Sequence, residues 1–182
     1  MTNMILAIAG FHGAGKSTIA KYIAKKYSLR YISSGELFRK IAEERGVSLS
    51  KLSRIAEEDP SIDYEIDNRI REEAKKGSMV GDALLSGWML KDVADIKIWL
   101  KAPLEVRVKR IADREGRDYN EVYNETLERE DSERRRFRKY YGVDLDDLSI
   151  YDYILSTHLI DLNTLIKIID EIISNYMVRR EG

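Results

Sequence analysis

The chain has 182 residues, 43% of them hydrophobic, enough for one domain with a sizeable core; it has no cysteine, which excludes disulfides, thiolate nucleophiles and cysteine-bound zinc. Its 31 basic and 32 acidic side chains leave a net charge of -1, so no global field draws it to nucleic acid or to an anionic membrane. No apolar run approaches the roughly 20 residues of a membrane-spanning helix, and the six apolar residues from Met4 lead into glycines rather than a cleavage site, so a soluble, cytoplasmic protein is expected.

Met4 to Ala9 is a continuous aliphatic run, the pattern of a strand covered on both faces in a parallel sheet. Ile19, Ala20, Ile23, Ala24 and Tyr27 then recur at helical spacing and predict a helix over Lys16 to Tyr27. A second short strand follows at Leu29 to Ile32, and "SSGELFRKIAEERG" opens a helix capped by Ser34 and closed by Gly46. Ser48 to Lys76 reads as helical throughout, interrupted at Asp59-Pro60 because proline disfavours helix in the residue before it. "SMVG" and "DIKIWL" predict the third and fourth strands, with Pro103 starting the next helix. Leu104 to Tyr141 reads as one long charged helical stretch, "DYILST" as the fifth strand, and Leu162 to Tyr176 as a helix that packs on the sheet. Helices alternating with five buried strands predict a doubly wound α/β fold, one domain over 1–182 with a five-stranded parallel sheet. Within it, 33–77 form a helical cap and about 114–142 an arginine-rich lid.

Gly10-Phe11-His12-Gly13-Ala14-Gly15-Lys16-Ser17 fits G-x-x-x-x-G-K-[ST], and it lies between a predicted strand and a predicted helix, as a phosphate-binding loop requires. The glycines let successive N–H groups turn toward one anion, and the helix N-terminus adds partial positive charge. Lys16 reaches the terminal phosphates of ATP and Ser17 supplies an oxygen to Mg²⁺. His12 reads either as a solvated loop histidine that offers its backbone N–H or as a catalytic imidazole. His158 lacks any metal-ligating partner in sequence and reads as structural.

A phosphate loop also serves switches, motors and transporters. The chain lacks N-K-x-D and a second ATPase module, whereas arginines gather where the cleft should open, which favours a kinase with a phosphorylated acceptor. Arg39 stands one helical turn beyond Gly35, and its fork suits a phosphate monoester. Arg129, Arg134, Arg135, Arg136 and Arg138 place five cations within ten residues. Taken singly, Arg134, Arg135 and Arg138 fit a salt-bridged surface helix; taken together the cluster fits a lid that closes over nucleotides.

From Met4 to about Ile160 the chain resembles the archaeal-type cytidylate kinases of the nucleoside monophosphate kinase group. The resemblance is carried by "GFHGAGKST", "ISSGELFRKIAEERG", "LSRIAEEDPSIDYEID", "SGWM", "ADIKIWLKAPLEVRVKRIADREG" and "REDSERRRFRKYYGVDLDDLSIYDYILST". It implies ATP-dependent phosphorylation of CMP, with dCMP and UMP as further acceptors. Gly10 to Thr18 would cradle ATP, Lys16, Arg129 and Arg136 would act on the transferring phosphoryl, and Ser33, Ser34 and Gly35 would start the acceptor-binding helix that carries Arg39. Asp63, Asp67 and Arg69, placed on one face of a cap helix, are candidates for reading the cytosine edge. Asp82, a carboxylate after the third strand, would join Ser17 at Mg²⁺. Trp99 reads as core packing, and Trp88 either as packing or as a base-stacking group.

Where that group has E-G-R-L-A-G-W, this chain reads Asp82-Ala83-Leu84-Leu85-Ser86-Gly87-Trp88, so Leu84 stands at an arginine position; Lys16 stands where members often carry threonine. Two alternatives stay open: an adenylate kinase or other small-metabolite kinase of this architecture, and an ATP-binding module whose acceptor site has decayed. An RNA-binding role for the Arg134 to Arg138 run ranks last, because the chain is not basic overall and shows no platform of stacking aromatics.

Overall fold

A computed structural model describes residues 3–181. Five strands, β1 (Ile5–Ala9), β2 (Arg30–Ser33), β3 (Met79–Asp82), β4 (Ile96–Lys101) and β5 (Tyr153–Ser156), form one sheet in the order β2-β3-β1-β4-β5, every pairing parallel. β1 sits at the centre. Leu6, Ile8, Ile98 and Leu100 are fully buried, as a parallel sheet covered on both faces demands.

One face is covered by α1 (Lys16–Lys26) and α8 (Leu162–Glu181), which bring Ile19, Ile23, Leu165, Ile169 and Ile173 against Leu6, Ile8 and Ile98. The other face carries α2 (Ser34–Glu44), α3 (Leu49–Glu58), α4 (Ser61–Lys75) and the one-turn α5 (Ser86–Met89). Phe38, Leu52, Ile62, Ile66, Ile70 and Leu90 form the core there. Trp99 closes it from the sheet side, 3% exposed and edge-on to Phe11 with ring centroids 5.5 Å apart.

Local chemistry shifts several boundaries read from the sequence. β2 begins and ends one residue later than expected, and the cap of α2 is Ser33, not Ser34: the Ser33 hydroxyl accepts a hydrogen bond from the Glu36 N–H at 3.3 Å, so Ser34 is already helical. The stretch Leu104 to Tyr141 is two helices, α6 (Leu104–Glu115) and α7 (Tyr119–Tyr141). Gly116 takes a left-handed φ of 63° to end α6, and the Asp118 carboxylate then caps α7 by accepting from the N–H groups of Asn120 and Glu121. The break at Asp59-Pro60 falls where expected. No helix among the described residues is long and apolar enough to cross a membrane.

α7 lies beside α6 through a small cluster of Val108, Ile111, Ala112 and Val122, and it packs against α3 as well. Its position puts Arg129, Glu133 and Arg136 over the C-terminal ends of β1 and β3, where a parallel sheet opens its ligand crevice.

Candidate active site

The phosphate loop owes its shape to three left-handed glycines, Gly10, Gly13 and Gly15, with φ of 141°, 77° and 98°. Space as well as dihedral enforces two of them. A Cβ on Gly10 would collide with the Leu100 carbonyl oxygen, and one on Gly13 with that of Arg107. The loop is therefore wedged between the end of β4 and the first turn of α6. From behind, the Thr157 hydroxyl donates to the Ala14 carbonyl at 3.0 Å while Arg110 donates to Thr157.

Lys16 and Ser17 begin α1 and face the crevice. The Lys16 ammonium donates to the Phe11 carbonyl at 3.1 Å. Its pKa is pulled below the usual lysine range, first by burial and further by Arg129, against the pull of Asp82 and Glu133. The Ser17 hydroxyl and the Tyr31 hydroxyl both donate to Asp82 Oδ2, each at 2.7 Å. A hydroxyl and a carboxylate side by side beside a phosphate-loop motif are hard oxygen donors of the kind that suits Mg²⁺, which takes one or two protein ligands and completes its shell with phosphates and water. Among the described residues no three His, Asp or Glu side chains gather into a metal-binding cluster.

The same crevice is lined by Ser33, Ser34, Gly35 and Arg39 from α2, Asp63 and Asp67 from α4, Leu84 after β3, and Arg129 and Arg136 from α7. Arg39 folds back over the start of its own helix, its guanidinium close to Gly35. Arg136 is 3% exposed and pairs with the Asp63 carboxylate at 3.2 Å. Burial pushes Asp63 up to about 7, helped by the negative charge of Asp67 and Glu133 and opposed by Arg136. Burial likewise raises Asp67 to about 6, against the neighbouring Tyr141 hydroxyl, Arg71 and Arg136.

Both raised carboxylates bind protons in the folded state that the unfolded chain has already released. The stability they contribute is full below the unfolded carboxylate range near 3.8 and is lost as pH rises through about 6 and about 7. Asp67→Asn should therefore lose less stability than the parent between about pH 5 and pH 8, by on the order of 2 kcal/mol, as read from urea midpoints at the two pH values. Equal losses in both proteins would refute this.

Some expected site residues lie elsewhere. Arg69 is exposed on the outer side of α4, beside Glu65 and Lys40, and does not line the crevice. Two residues beyond Asp67 is about 200° around a helix, which turns Arg69 away. Phe11 contributes its carbonyl, while its ring packs on Trp99 with Arg107 and Arg134 near its faces. Thr18 is exposed outside the crevice. His158 is exposed in the turn after β5. Arg135 and Arg138 reach outward to Glu57 and Asp144, as the surface-helix reading has it, whereas Arg134 pairs with Asp146 but is half-buried, its guanidinium 4.7 Å from the centre of the Phe11 ring.

His12 is not a solvated loop residue: its Nε2 lies 2.7 Å from Glu133 Oε2, with 20% of its side chain exposed. Burial lowers its pKa to about 4, with Arg129 and Lys16 adding to the shift against Glu133. Burial raises Glu133, yet His12, Arg129 and Arg136 outweigh it and hold the carboxyl at about 2. Arg114, Arg117 and Glu133 line the crevice without having been singled out from the sequence. Arg107, Arg110 and Arg114 recur at helical spacing directly after the fourth strand, and that stripe was the available signal.

Residues 5–159 match the cytidylate kinase-like family. A cytidylate kinase of Staphylothermus marinus is 47% identical over 174 residues, covering 96% of this chain and 98% of that one. One of Methanocaldococcus jannaschii is 44% identical over 175 residues, covering 94% and 98%. Among solved structures, an uncharacterized protein from Eubacterium ventriosum superposes with a TM-score of 0.69 at 22% identity, covering 94% of this chain and 98% of that one. Shikimate kinase from Bacteroides thetaiotaomicron does so with 0.62 at 16%, with the same two coverages. At such identities the structural likeness speaks for the fold alone. With the full length of its relatives matched and the family's span running from β1 past β5, the chain belongs to the cytidylate kinase-like family.

Proposed function

We propose that the protein transfers the γ-phosphoryl of ATP to the 5′-phosphate of CMP. The observation that carries this reading is a single crevice that holds a phosphate loop at one end and, facing it, Arg39, Arg129 and Arg136 with a buried pair of acids. Its relatives are named cytidylate kinases, and the site has the parts such a transfer needs.

The acceptor phosphate is already an anion at neutral pH, so the attacking oxygen needs no strong general base. What the site must supply is alignment and cancellation of like charge. Lys16 reaches the terminal phosphates from the loop, and Arg39 holds the acceptor phosphate from α2. Arg129 and Arg136 approach from α7 and stabilise the charge that spreads over the transferring group. Ser17 and Asp82 are the residues that would hold Mg²⁺, which when bound neutralises oxygens of the terminal phosphates. Asp63, raised to about 7 and joined to Arg136, offers an acceptor or a donor to the exocyclic amine and ring nitrogen of a base, and Asp67 lies beside it.

The crevice in this state encloses about 310 Å³, the small end of ligand sites. Residues 33–77 act as the acceptor cap and about 114–142 as the lid, and α7 swings outward to admit two nucleotides. Leu84 is 6% exposed on the crevice wall among Ala83, Leu85 and Met89. It places an apolar surface where the family has an arginine, so Arg39, Arg129 and Arg136 must hold the acceptor without that fourth cation.

ADP release measured with CMP, dCMP, UMP, AMP and GMP as acceptors tests the reading. CMP should give the highest kcat/KM, with dCMP and UMP next; equal rates for all five, or a preference for AMP, would overturn it. ATP-induced thermal stabilisation without any from CMP, together with no turnover, would instead mark a binding module with a decayed acceptor site.

A further inference from the structure

The His12 ring belongs to the phosphate loop, yet it points across the crevice into α7. Glu133 Oε2 lies 2.7 Å from His12 Nε2, and the other carboxylate oxygen lies 3.5 Å from Nε of Arg129, one turn earlier on the same helix. His12 is held from its other side too, because Arg107 donates to its carbonyl at 2.9 Å. Arg107 also binds the buried Glu130 carboxylate through both terminal nitrogens. Three contacts therefore join the loop region to this stretch of α7: Arg107–Glu130 behind the loop, the Arg134 guanidinium 4.7 Å from the centre of the Phe11 ring, and His12–Glu133 facing the crevice.

We propose that the His12–Glu133 hydrogen bond is a latch that seats α7 against the phosphate loop and leaves Arg129 free to meet phosphate, making His12 a positioning residue for the transfer. The inference rests on the reading of the loop as the ATP site. The physical basis is competition for one carboxylate. Glu133 is 6% exposed and must find donors. The imidazole takes the short contact and leaves Arg129 the long one, so the guanidinium is only loosely engaged by its own helix. Without the imidazole, Arg129 is the nearest remaining donor. It would close on Glu133 as a full ion pair and be withdrawn from an incoming phosphate. A neutral donor suits this task better than a lysine, because it satisfies the carboxylate without adding a second buried cation beside Lys16.

Four variants decide it: His12→Met, which removes the donor; His12→Gln, whose amide nitrogen restores one at a similar reach; Glu133→Met, which removes the acceptor; and the double variant H12M/E133M. In H12M, kcat with CMP should fall about tenfold while KM for ATP stays within about threefold, and H12Q should recover at least about threefold of that loss. The double variant should lose no more than about the worse single variant, because both remove one contact. Backbone hydrogen exchange of the free protein gives a readout independent of turnover: residues 126–137 should exchange faster in H12M than in the parent and H12Q, with β1 and β4 unchanged.

Exchange in 126–137 that matches the parent in both H12M and E133M overturns the latch, as does an H12Q variant no more active than H12M. A general loss of protection including β1 and β4 would mark His12 as merely structural and also overturns it. A parent that turns over no CMP would end the kinase reading, while the exchange comparison would still decide whether the latch exists.

Discussion

Replacing Lys16 with methionine should lower CMP-dependent kcat by about 10³-fold, roughly 4 kcal/mol of transition-state stabilisation, while leaving the folded protein at least as stable as the parent. The two halves of this expectation come from one feature. The Lys16 ammonium stands where burial already disfavours its charge and where Arg129 adds repulsion, with the Phe11 carbonyl as its hydrogen-bond partner. In the absence of nucleotide that charge is a liability, and a lysine whose pKa is lowered on folding detracts from stability at neutral pH. Methionine keeps the length of the stem and removes the liability. On the proposed reading the same charge meets the terminal phosphates once a triphosphate enters, and its loss falls on the transition state. Steady-state turnover beside calorimetry separates the halves. A variant within about tenfold of the parent kcat would remove Lys16 from the mechanism, and a large fall in Tm would show that its charge supports the fold instead.

The legible parts of the molecule are those in which one residue type has one physical use. All five expected strands are present in one parallel sheet, but only β1, β3 and most of β4 are buried as expected: the edge strand β2 is half-covered, and β5 at the other edge leaves Tyr153 and Ile154 exposed. The loop glycines were readable because each takes a left-handed φ, and for Gly10 and Gly13 a neighbouring carbonyl forbids a side chain as well. Charged side chains are different, since an arginine serves a surface ion pair or a crevice equally well until its direction is known. Arg135 and Arg136 are adjacent in sequence, but about 100° of helix sends one to Glu57 at the surface and the other to buried Asp63.

Arg69 was misplaced for the same reason, being assigned to a helix face that the 3.6-residue period does not give it. The part played by His12 was illegible because its partner is 121 residues away, on a helix whose start depends on the break at Gly116 and the cap at Asp118. A helix running unbroken from Leu104 would have presented different side chains to the loop. The site's electrostatics thus depend on two turn residues that carry no chemistry of their own.

Arg136→Met is the second large effect, and it should act on both the fold and the reaction. Arg136 is the cation paired with Asp63 and the opponent of the burial that raises that carboxyl to about 7. Removing it drives Asp63 higher, so that near neutral pH the acid takes a proton instead of remaining a buried, unpaired charge. That escape limits the loss of stability to roughly 1–3 kcal/mol, below the 3–5 kcal/mol typical of a broken buried pair. The loss should grow as pH rises from about 6 to about 8, because the folded variant must hold on Asp63 a proton that the unfolded chain has released, and holding it costs more with each step in pH. Asp63→Asn in the Arg136→Met background should restore stability and flatten that pH dependence, since the amide needs no counter-ion. It should not restore turnover. With the cation gone from the crevice, kcat/KM for CMP should fall by about 10²–10³-fold in both the single and the double variant. Turnover recovered by Asp63→Asn would mean that Arg136 serves only to neutralise the acid; turnover still low beside recovered stability would place its charge on the reacting phosphates or the acceptor itself.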